Sequence, residues 1–139
     1  MRAIAYALLS ALLAALVALL GKIGVKDIDS NLATAIRAII MAIFMVGVTT
    51  VQGTIGKIGS IPKTPMLYIV LSGLVGALSW VAYFRALQLG KVSQIAPLDR
   101  LSVVFAVVLA AIFLKEKVNV QTWLGVGLMA GGAILISLA

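Results

Sequence analysis

The sequence predicts an all-α integral membrane protein with five transmembrane helices. Of its 139 residues, 63% are hydrophobic and only 11% are charged, and the mean hydropathy is +1.22, whereas about a quarter of the residues in soluble domains are charged. Apolar runs long enough to cross a hydrocarbon layer of about 30 Å follow one another along the chain. The basic residues, which give a net charge of +7, lie mostly in short connectors, where they act as topology signals and contact lipid headgroups.

We expect one transmembrane domain over residues 1–139, with helices at about residues 4–20, 32–51, 66–88, 96–114 and 120–138. The first helix follows Met1-Arg2, which resembles the start of a signal peptide. A polar cleavage region does not follow, so we interpret residues 4–20 as a helix that is retained.

The second helix carries an arginine in its interior. Ser30 or Asn31 is the expected N-cap, and Arg37 lies within the apolar run that follows. Two interpretations stay open for Arg37. Its guanidinium could extend to the membrane interface, or it could face the bundle interior and contact an anion or a substrate.

The third helix combines small, polar and aromatic residues. Ser72, Gly76, Ser79 and Tyr83 follow steps of four, three and four, so they share one face. Trp80 lies near the expected end of the helix, where aromatic residues often form a belt at the interface. Ser79, Trp80 and Tyr83 are also candidates for lining a substrate cavity.

Asp99 is the only acidic residue within any predicted span. If Pro97 occupies the first helical position, Asp99 falls in the first turn, where the helix dipole favours a carboxylate. Asp99 could instead pair with Arg85 across the short connector, or bind substrate, or exchange a proton or ion for it. All of these roles stay open.

The fifth helix, with Asn119 or Thr122 as its expected cap, contains a Gly-x-x-x-Gly pair at Gly127 and Gly131. Such a pair allows two helix backbones to approach closely. The contact could form inside one subunit or between two.

The basic residues are almost evenly divided between the two sides of the membrane. Five crossings place Arg2, Lys57, Lys63, Lys115 and Lys117 on one side, and Lys22, Lys26, Arg37, Arg85, Lys91 and Arg100 on the other. Because five basic residues lie on one side and six on the other, the positive-inside rule does not predict a single orientation. The chain is therefore expected to insert in both orientations and to form an antiparallel homodimer of ten helices with inverted-repeat architecture.

Several functional classes are excluded by composition. The chain has no Cys and no His, so thiolate chemistry, an imidazole base and a His/Cys metal site are impossible. The sequence also lacks paired carboxylates and a glycine-rich phosphate-binding loop. We therefore expect no enzymatic activity, no metal and no cofactor, and no nucleic acid as a partner.

Four segments resemble the drug/metabolite transporter superfamily, and within it a single EamA-type domain. They are residues 83–90 (YFRALQLG), 92–98 (VSQIAPL), 114–117 (LKEK) and 124–135 (LGVGLMAGGAIL). The resemblance covers nearly the whole chain and is most specific from the third helix to the fifth. Typical members carry two such five-helix domains, inverted relative to each other, and export small metabolites or amphipathic compounds. The small multidrug resistance proteins of the same superfamily use a glutamate in the first helix, and residues 4–20 contain no acid, so that mechanism is not carried over.

The leading hypothesis is a multi-pass secondary transporter in the cytoplasmic membrane that exports a small organic solute by alternating access. Its substrate-binding candidates are Arg37, Ser79, Trp80, Tyr83, Arg85 and Asp99. Transport of the solute could be coupled to the movement of a proton or another ion. The alternatives are a non-transporting membrane subunit of a larger complex and a flippase for lipid-linked compounds.

Overall fold

The computed structural model describes residues 2–138, and every regular element in that range is helical. The elements are α1 (Arg2–Gly24), α2 (Ser30–Val51), a 3-10 helix (Ile55–Ser60), α3 (Lys63–Leu89), α4 (Val92–Asp99), α5 (Leu101–Phe113) and α6 (Val120–Ser137). Five segments are long and apolar enough to cross a membrane, with α4 and α5 together forming one of them, Val92–Phe113. The prediction of an all-α protein with five membrane-spanning helices is confirmed.

The outer faces of these helices are strongly apolar. In each span no more than 11% of the most apolar stretch is buried inside the protein, and large side chains such as Leu78 and Leu128 are 70% and 78% exposed. A soluble monomer does not expose contiguous apolar surface on this scale. Lipid chains supply the missing contacts, since a helix keeps all its own backbone hydrogen bonds in hydrocarbon.

The chain divides into two compact units. Unit 1 comprises α1 up to Lys22 and the chain from Leu89 onwards. Within it α6 packs against both α4 and α5, and its small residue Ala133 is buried. The Lys22 ammonium donates a hydrogen bond of 2.8 Å to the carbonyl oxygen of Gly90, which ties the end of α1 to the segment before α4.

Unit 2 comprises residues 23–88 and holds α2, the 3-10 helix and most of α3. Its buried residues lie where α2 begins and α3 ends; they are Val25, Ser30, Thr34, Phe84 and Leu87. The Gln88 amide donates to the carbonyl oxygens of Val25 at 3.2 Å and Ile28 at 3.0 Å. These bonds hold the connector before α2 against the end of α3.

The N-cap of α2 is Asp29, and the expectation of Ser30 or Asn31 is wrong. One carboxylate oxygen of Asp29 accepts hydrogen bonds from the backbone N–H groups of Asn31 and Leu32, each at 3.0 Å. These are two of the N–H groups that a helix start leaves without a partner inside the helix. Ser30 is instead the first helical residue, and its carbonyl accepts the Thr34 hydroxyl at 2.7 Å.

The fourth span begins at Val92 rather than at residue 96, and it is interrupted. Pro97 therefore lies inside α4 and not at its first position, and Asp99 is the last residue of α4. Since proline has no N–H and its ring crowds the preceding turn, a helix breaks or kinks next to it. The chain tightens at Arg100, whose N–H donates to the Pro97 carbonyl oxygen at 3.1 Å, and α5 then starts at Leu101.

The other helix ends differ less from expectation. The first helix continues to Gly24 and the third begins at Lys63, where Pro65 is accommodated because N–H groups of the first turn have no partner inside the helix. Asn119 is the N-cap of α6, as expected, and accepts the Thr122 N–H at 2.8 Å.

Candidate functional site: a groove between α2 and α3

A groove of about 480 Å³ runs between α2 and α3 inside unit 2. One helical face of α2 and one of α3 line it, and the residues are Asn31, Thr34, Ala35, Arg37, Ala38, Met41, Gly73, Gly76, Ala77, Trp80 and Val81. Most of them recur at i, i+3, i+4 and i+7, at positions 31, 34, 35 and 38 on α2 and 73, 76, 77 and 80 on α3, which is the spacing of one helical face. The groove exists because alanines of α2 lie opposite glycines and an alanine of α3, so little side-chain volume fills the space.

The Arg37 guanidinium lies over the indole of Trp80. The distance from its central carbon to the centre of the ring is 3.3 Å, and the ring of Phe84 is 5.2 Å away. Trp80 and Phe84 are stacked with their centroids 5.9 Å apart. Arg37 is the eighth residue of α2, about 10 Å along the helix axis, and its guanidinium is held against Trp80. The geometry favours the interior placement of Arg37 over extension to the interface.

The charge of Arg37 is only partly compensated within this arrangement. A cation over a desolvated aromatic ring gains about 2 kcal/mol. Placing an arginine inside a membrane helix costs at most about 2.5–3.5 kcal/mol, which is the value at the centre of the helix. The Nη1 atom is also buried without a hydrogen-bond partner among residues 2–138, and an unsatisfied buried donor costs about 1–3 kcal/mol. The sum favours a further acceptor at this position.

A second, more polar recess adjoins the groove at the start of α2. Its lining consists of Asp29, Ser30, Asn31, Leu78, Val81, Ala82 and Arg85. Asn31 and Val81 belong to both linings, so the recess forms a polar mouth to the groove. Arg85 donates to the Gln88 side-chain oxygen at 2.6 Å, and Gln88 in turn holds the connector before α2.

The five substrate-binding candidates that lie in unit 2 do not form one cluster. Arg37 and Trp80 lie together in the groove, and Arg85 lies at its polar mouth. Ser79 is exposed on another face of α3. Tyr83 is half-buried and packs edge-on against Phe84, with centroids 6.0 Å apart. It lines neither recess.

Asp99 belongs to unit 1, where it is half-buried at the end of α4. The expectation that Asp99 lies in the first turn of its helix is wrong, because the structure places it at the last position of α4. Its pairing with Arg85 and its roles in binding or coupling stay predictions.

Gly127 and Gly131 lie on an open face of α6. A Cβ atom built on either residue would meet nothing within 4 Å among the described residues. The Gly-x-x-x-Gly pair therefore makes no close helix contact within unit 1, which leaves the contact between two subunits as the open interpretation.

Sequence reasoning missed much of the groove. Asn31 and Thr34 at its polar end, and Gly73 and Ala77 on α3, were not predicted as site residues. The signal was present as small residues at steps of three and four on two helices. To predict that these two faces meet, one must know how α2 and α3 are rotated about their axes when they pack. The residue pattern of a single helix does not contain this information.

No group of three or more His, Cys, Asp or Glu side chains is placed to hold a metal ion anywhere in residues 2–138. The lining of the groove has the composition of a ligand-binding site. It offers cationic and amide donors at one end, aromatic faces in the middle and small apolar surface beyond.

Comparison with known proteins gives matches over the whole chain. The model of the EamA-like transporter family matches residues 1–138. An uncharacterized transporter in the cobO 3′ region of Sinorhizobium sp is 43% identical over 132 residues, which cover 95% of this chain and 94% of that protein. A probable 4-amino-4-deoxy-L-arabinose-phosphoundecaprenol flippase subunit, ArnE of Hamiltonella defensa subsp. Acyrthosiphon pisum (strain 5AT), is 30% identical over 74 residues, covering 53% of this chain and 67% of that protein.

No solved structure matches the chain significantly. The family match nevertheless spans all five membrane helices, and the alignment with the Sinorhizobium protein covers nearly the whole of both chains. The sequence segments that resemble an EamA-type domain are thus part of a match over the full length. The chain is a multi-pass membrane protein that belongs to the EamA-like transporter family.

Proposed function

We propose that this protein is a secondary transporter of the cytoplasmic membrane that exports small organic metabolites or amphipathic compounds by alternating access. The α2–α3 groove contributes the part of the solute site that binds and orients the cargo. Membership of a transporter family and the absence of any recognisable enzymatic constellation support this function over an enzymatic one.

The single observation that carries the proposal is the groove itself, with Arg37 held over Trp80. Its volume of about 480 Å³ falls within the range of roughly 300–1,000 Å³ that small-molecule sites occupy. A cation inside a membrane span marks a functional position by default. Arg85, at the polar mouth, would meet the solute as it enters or leaves.

An antiparallel homodimer is the proposed working unit. The nearly equal distribution of basic residues supports insertion in both orientations, and the open Gly127 and Gly131 face is available to a second copy. Two copies related by an axis in the membrane plane would give the solute a path that opens alternately to each side.

Gly76→Leu tests the groove as the solute site. A Cβ atom at Gly76 would meet nothing within 4 Å, so a leucine fits the backbone and occupies the groove that the solute needs. The solutes are first selected from a panel by thermal shift on the purified protein and then measured by flux into proteoliposomes, with and without a pH gradient. We expect Gly76→Leu to reduce flux to background while the protein stays folded.

Gly47→Leu is the matched control. Gly47 also faces open space but lines a separate recess near the end of α2, so the same substitution there should leave flux unchanged. Undiminished flux in Gly76→Leu would contradict the placement of the solute in the groove.

A second candidate function, favoured by the similarity to the ArnE protein, is that of one subunit of a flippase for a lipid-linked compound. The two candidates differ in the polypeptides they need. A transporter that is complete as a homodimer moves solute when the purified chain alone is reconstituted. A flippase subunit moves its lipid substrate only after a second, different polypeptide is added.

A further inference from the structure

The α2–α3 groove contains a positive charge without a matching negative charge. Neither α2 nor α3 has a single Asp or Glu, and the buried Nη1 atom of Arg37 has no hydrogen-bond partner among residues 2–138. A guanidinium is always ionised and is purely a donor. Its complete solvation in this groove therefore requires an acceptor that the described chain does not provide.

The placement of Arg37 also defines the direction from which that acceptor can come. Trp80 covers one face of the guanidinium at 3.3 Å. The N–H groups lie in the guanidinium plane, so stacking leaves donors free at the edge, where carboxylate and phosphate oxygens bind with two parallel hydrogen bonds.

The groove changes character on either side of Arg37. The polar mouth, with Asn31 and Arg85, lies on one side, and Ala38, Met41 and Gly73 line the other. A ligand that fits both parts is amphipathic, with its charged group at Arg37 and its apolar part along Met41. Among residues 2–138, Asp29 is the only acid in the linings of the groove and its mouth, and its carboxylate accepts hydrogen bonds from two backbone N–H groups.

We infer that the groove binds an amphipathic anion, whose carboxylate or phosphate is bound by Arg37 and whose apolar part lies against Trp80 and Met41. This inference rests on the proposed function, since it names the class of solute that the same site takes. The anionic group could belong to a soluble organic acid or to the headgroup of an anionic lipid that enters from the bilayer.

Three ligands of equal shape and different charge test the inference. They are 4-bromobenzoate, 4-bromobenzamide and 4-bromobenzylammonium, whose bromine quenches a nearby tryptophan. The chain has two tryptophans, so Trp123→Phe leaves Trp80 as its only tryptophan, and a scaffold protein without tryptophan keeps the nanodisc itself from contributing fluorescence. In phosphatidylcholine nanodiscs, we expect 4-bromobenzoate to quench Trp80 with an affinity about tenfold or more above that of the amide, because a hydrogen bond to a charged group is the stronger one. The ammonium ligand should bind most weakly.

Arg37 variants then identify the group that selects the anion. Arg37→Gln in the Trp123→Phe protein should remove the preference for 4-bromobenzoate, and Arg37→Lys should retain part of it because the charge remains. Arg100→Gln, which removes an exposed cation from unit 1, is the control and should bind 4-bromobenzoate normally. If Arg37→Gln does not fold, the comparison of the three ligands on the protein with Arg37 still tests whether the groove prefers an anion.

A lipid arm separates the two sources of the anion. Nanodiscs that contain phosphatidylglycerol supply an anionic headgroup within the bilayer. Displacement of 4-bromobenzoate by phosphatidylglycerol supports the site and assigns it to lipid headgroups. Undiminished quenching supports the site and assigns it to soluble organic anions.

Equal quenching by the acid and the amide, or stronger quenching by the ammonium ligand, would overturn the inference. It would mean that Arg37 is already neutralised, for example by a carboxylate of a second copy. This result is distinguishable from failure of the proposed function, because binding is measured at equilibrium and without flux. Selective anion binding without flux would contradict transport alone, and flux of uncharged solutes without anion selectivity would contradict this inference alone.

Discussion

Asp29 fixes the start of α2 and, through it, the polar end of the groove. Its carboxylate accepts from the N–H groups of Asn31 and Leu32, and Asn31 lines both the groove and its mouth. We predict that Asp29→Ala lowers the free energy of unfolding by about 1 kcal/mol, the usual cost of a lost N-cap. Asp29→Asn should retain most of the stability, because asparagine caps nearly as well. Unfolding followed by helical circular dichroism in bicelles measures both.

Equal losses in Asp29→Asn and Asp29→Ala would show that the charge, and not the cap geometry, stabilises this turn. The sequence identified the segment but chose the wrong residue within it. Asp29, Ser30 and Asn31 are three consecutive residues that can all cap a helix. Which of them does so depends on the anchoring of the preceding connector, where Val25 is buried and Gln88 binds two carbonyl groups. That tertiary contact is not visible in a local pattern.

Arg37 and Trp80 illustrate the same limit for the site. Arg37 was a candidate because a charge is unusual within a span, and Trp80 because it belongs to the small, polar and aromatic residues that the third helix combines. Their contact joins residues 43 positions apart (80 minus 37) and depends on how α2 and α3 are rotated. Ser79 was selected with equal reason and is exposed on another face. The residue types identified the candidates, but the packing of α2 and α3 determines which of them line the groove.

At the scale of elements, the interrupted fourth span is the largest departure from a plain apolar helix. The apolar runs predicted the number and order of the spans, since composition and length alone decide whether a segment can cross a bilayer. They did not predict the break at Arg100, because Pro97 is compatible with both the first turn and the interior of a membrane helix. The neighbours of the proline in unit 1 determine which of these occurs.

Pro97→Ala should join α4 and α5 into one helix. Alanine restores the N–H that proline lacks and removes the ring that crowds the preceding turn. The chain has no cysteine, so spin labels can be placed at Ser93→Cys and Phe113→Cys without background labelling. A continuous helix would hold these positions about 30 Å apart. We expect the distance measured by double electron–electron resonance to lengthen toward that value and its distribution to narrow.

Leu98→Ala is the control for this experiment, because it truncates a neighbouring side chain and leaves the proline in place. Its distance distribution should match that of the parent. If Pro97→Ala also leaves the distance unchanged, the break at Arg100 is caused by packing against α6 and not by the missing N–H. Asp99 would then owe its position at the end of α4 to the same packing.

At the scale of the whole molecule, the distribution of charge determines how many orientations the chain adopts. The five membrane crossings place the two ends of the chain on opposite sides, and the basic residues divide five against six. We predict that fusions to the C-terminus report both orientations. Alkaline phosphatase, active only outside the cytoplasm, and green fluorescent protein, fluorescent only inside it, should both give signal from the same sequence.

Variants with fewer basic residues on one side test in which direction the orientation of the chain shifts. Replacing Lys57 and Lys63 by glutamine leaves three basic residues (5 minus 2) against six on the side of the C-terminus. This variant should hold the C-terminus in the cytoplasm and silence the phosphatase. Replacing Lys26, Lys91 and Arg100 leaves five against three (6 minus 3) and should silence the fluorescent protein instead.

The proposed antiparallel dimer requires both orientations in one membrane. Each biased variant alone should lose flux, since it lacks partners of opposite orientation, and co-expression of the two should restore it. Flux from a single biased variant would contradict the antiparallel dimer, because a parallel pair lacks the symmetry that opens the path to each side in turn. A parent chain that already shows one orientation in both fusions would contradict dual insertion, and the dimer would then need a second, oppositely inserted polypeptide.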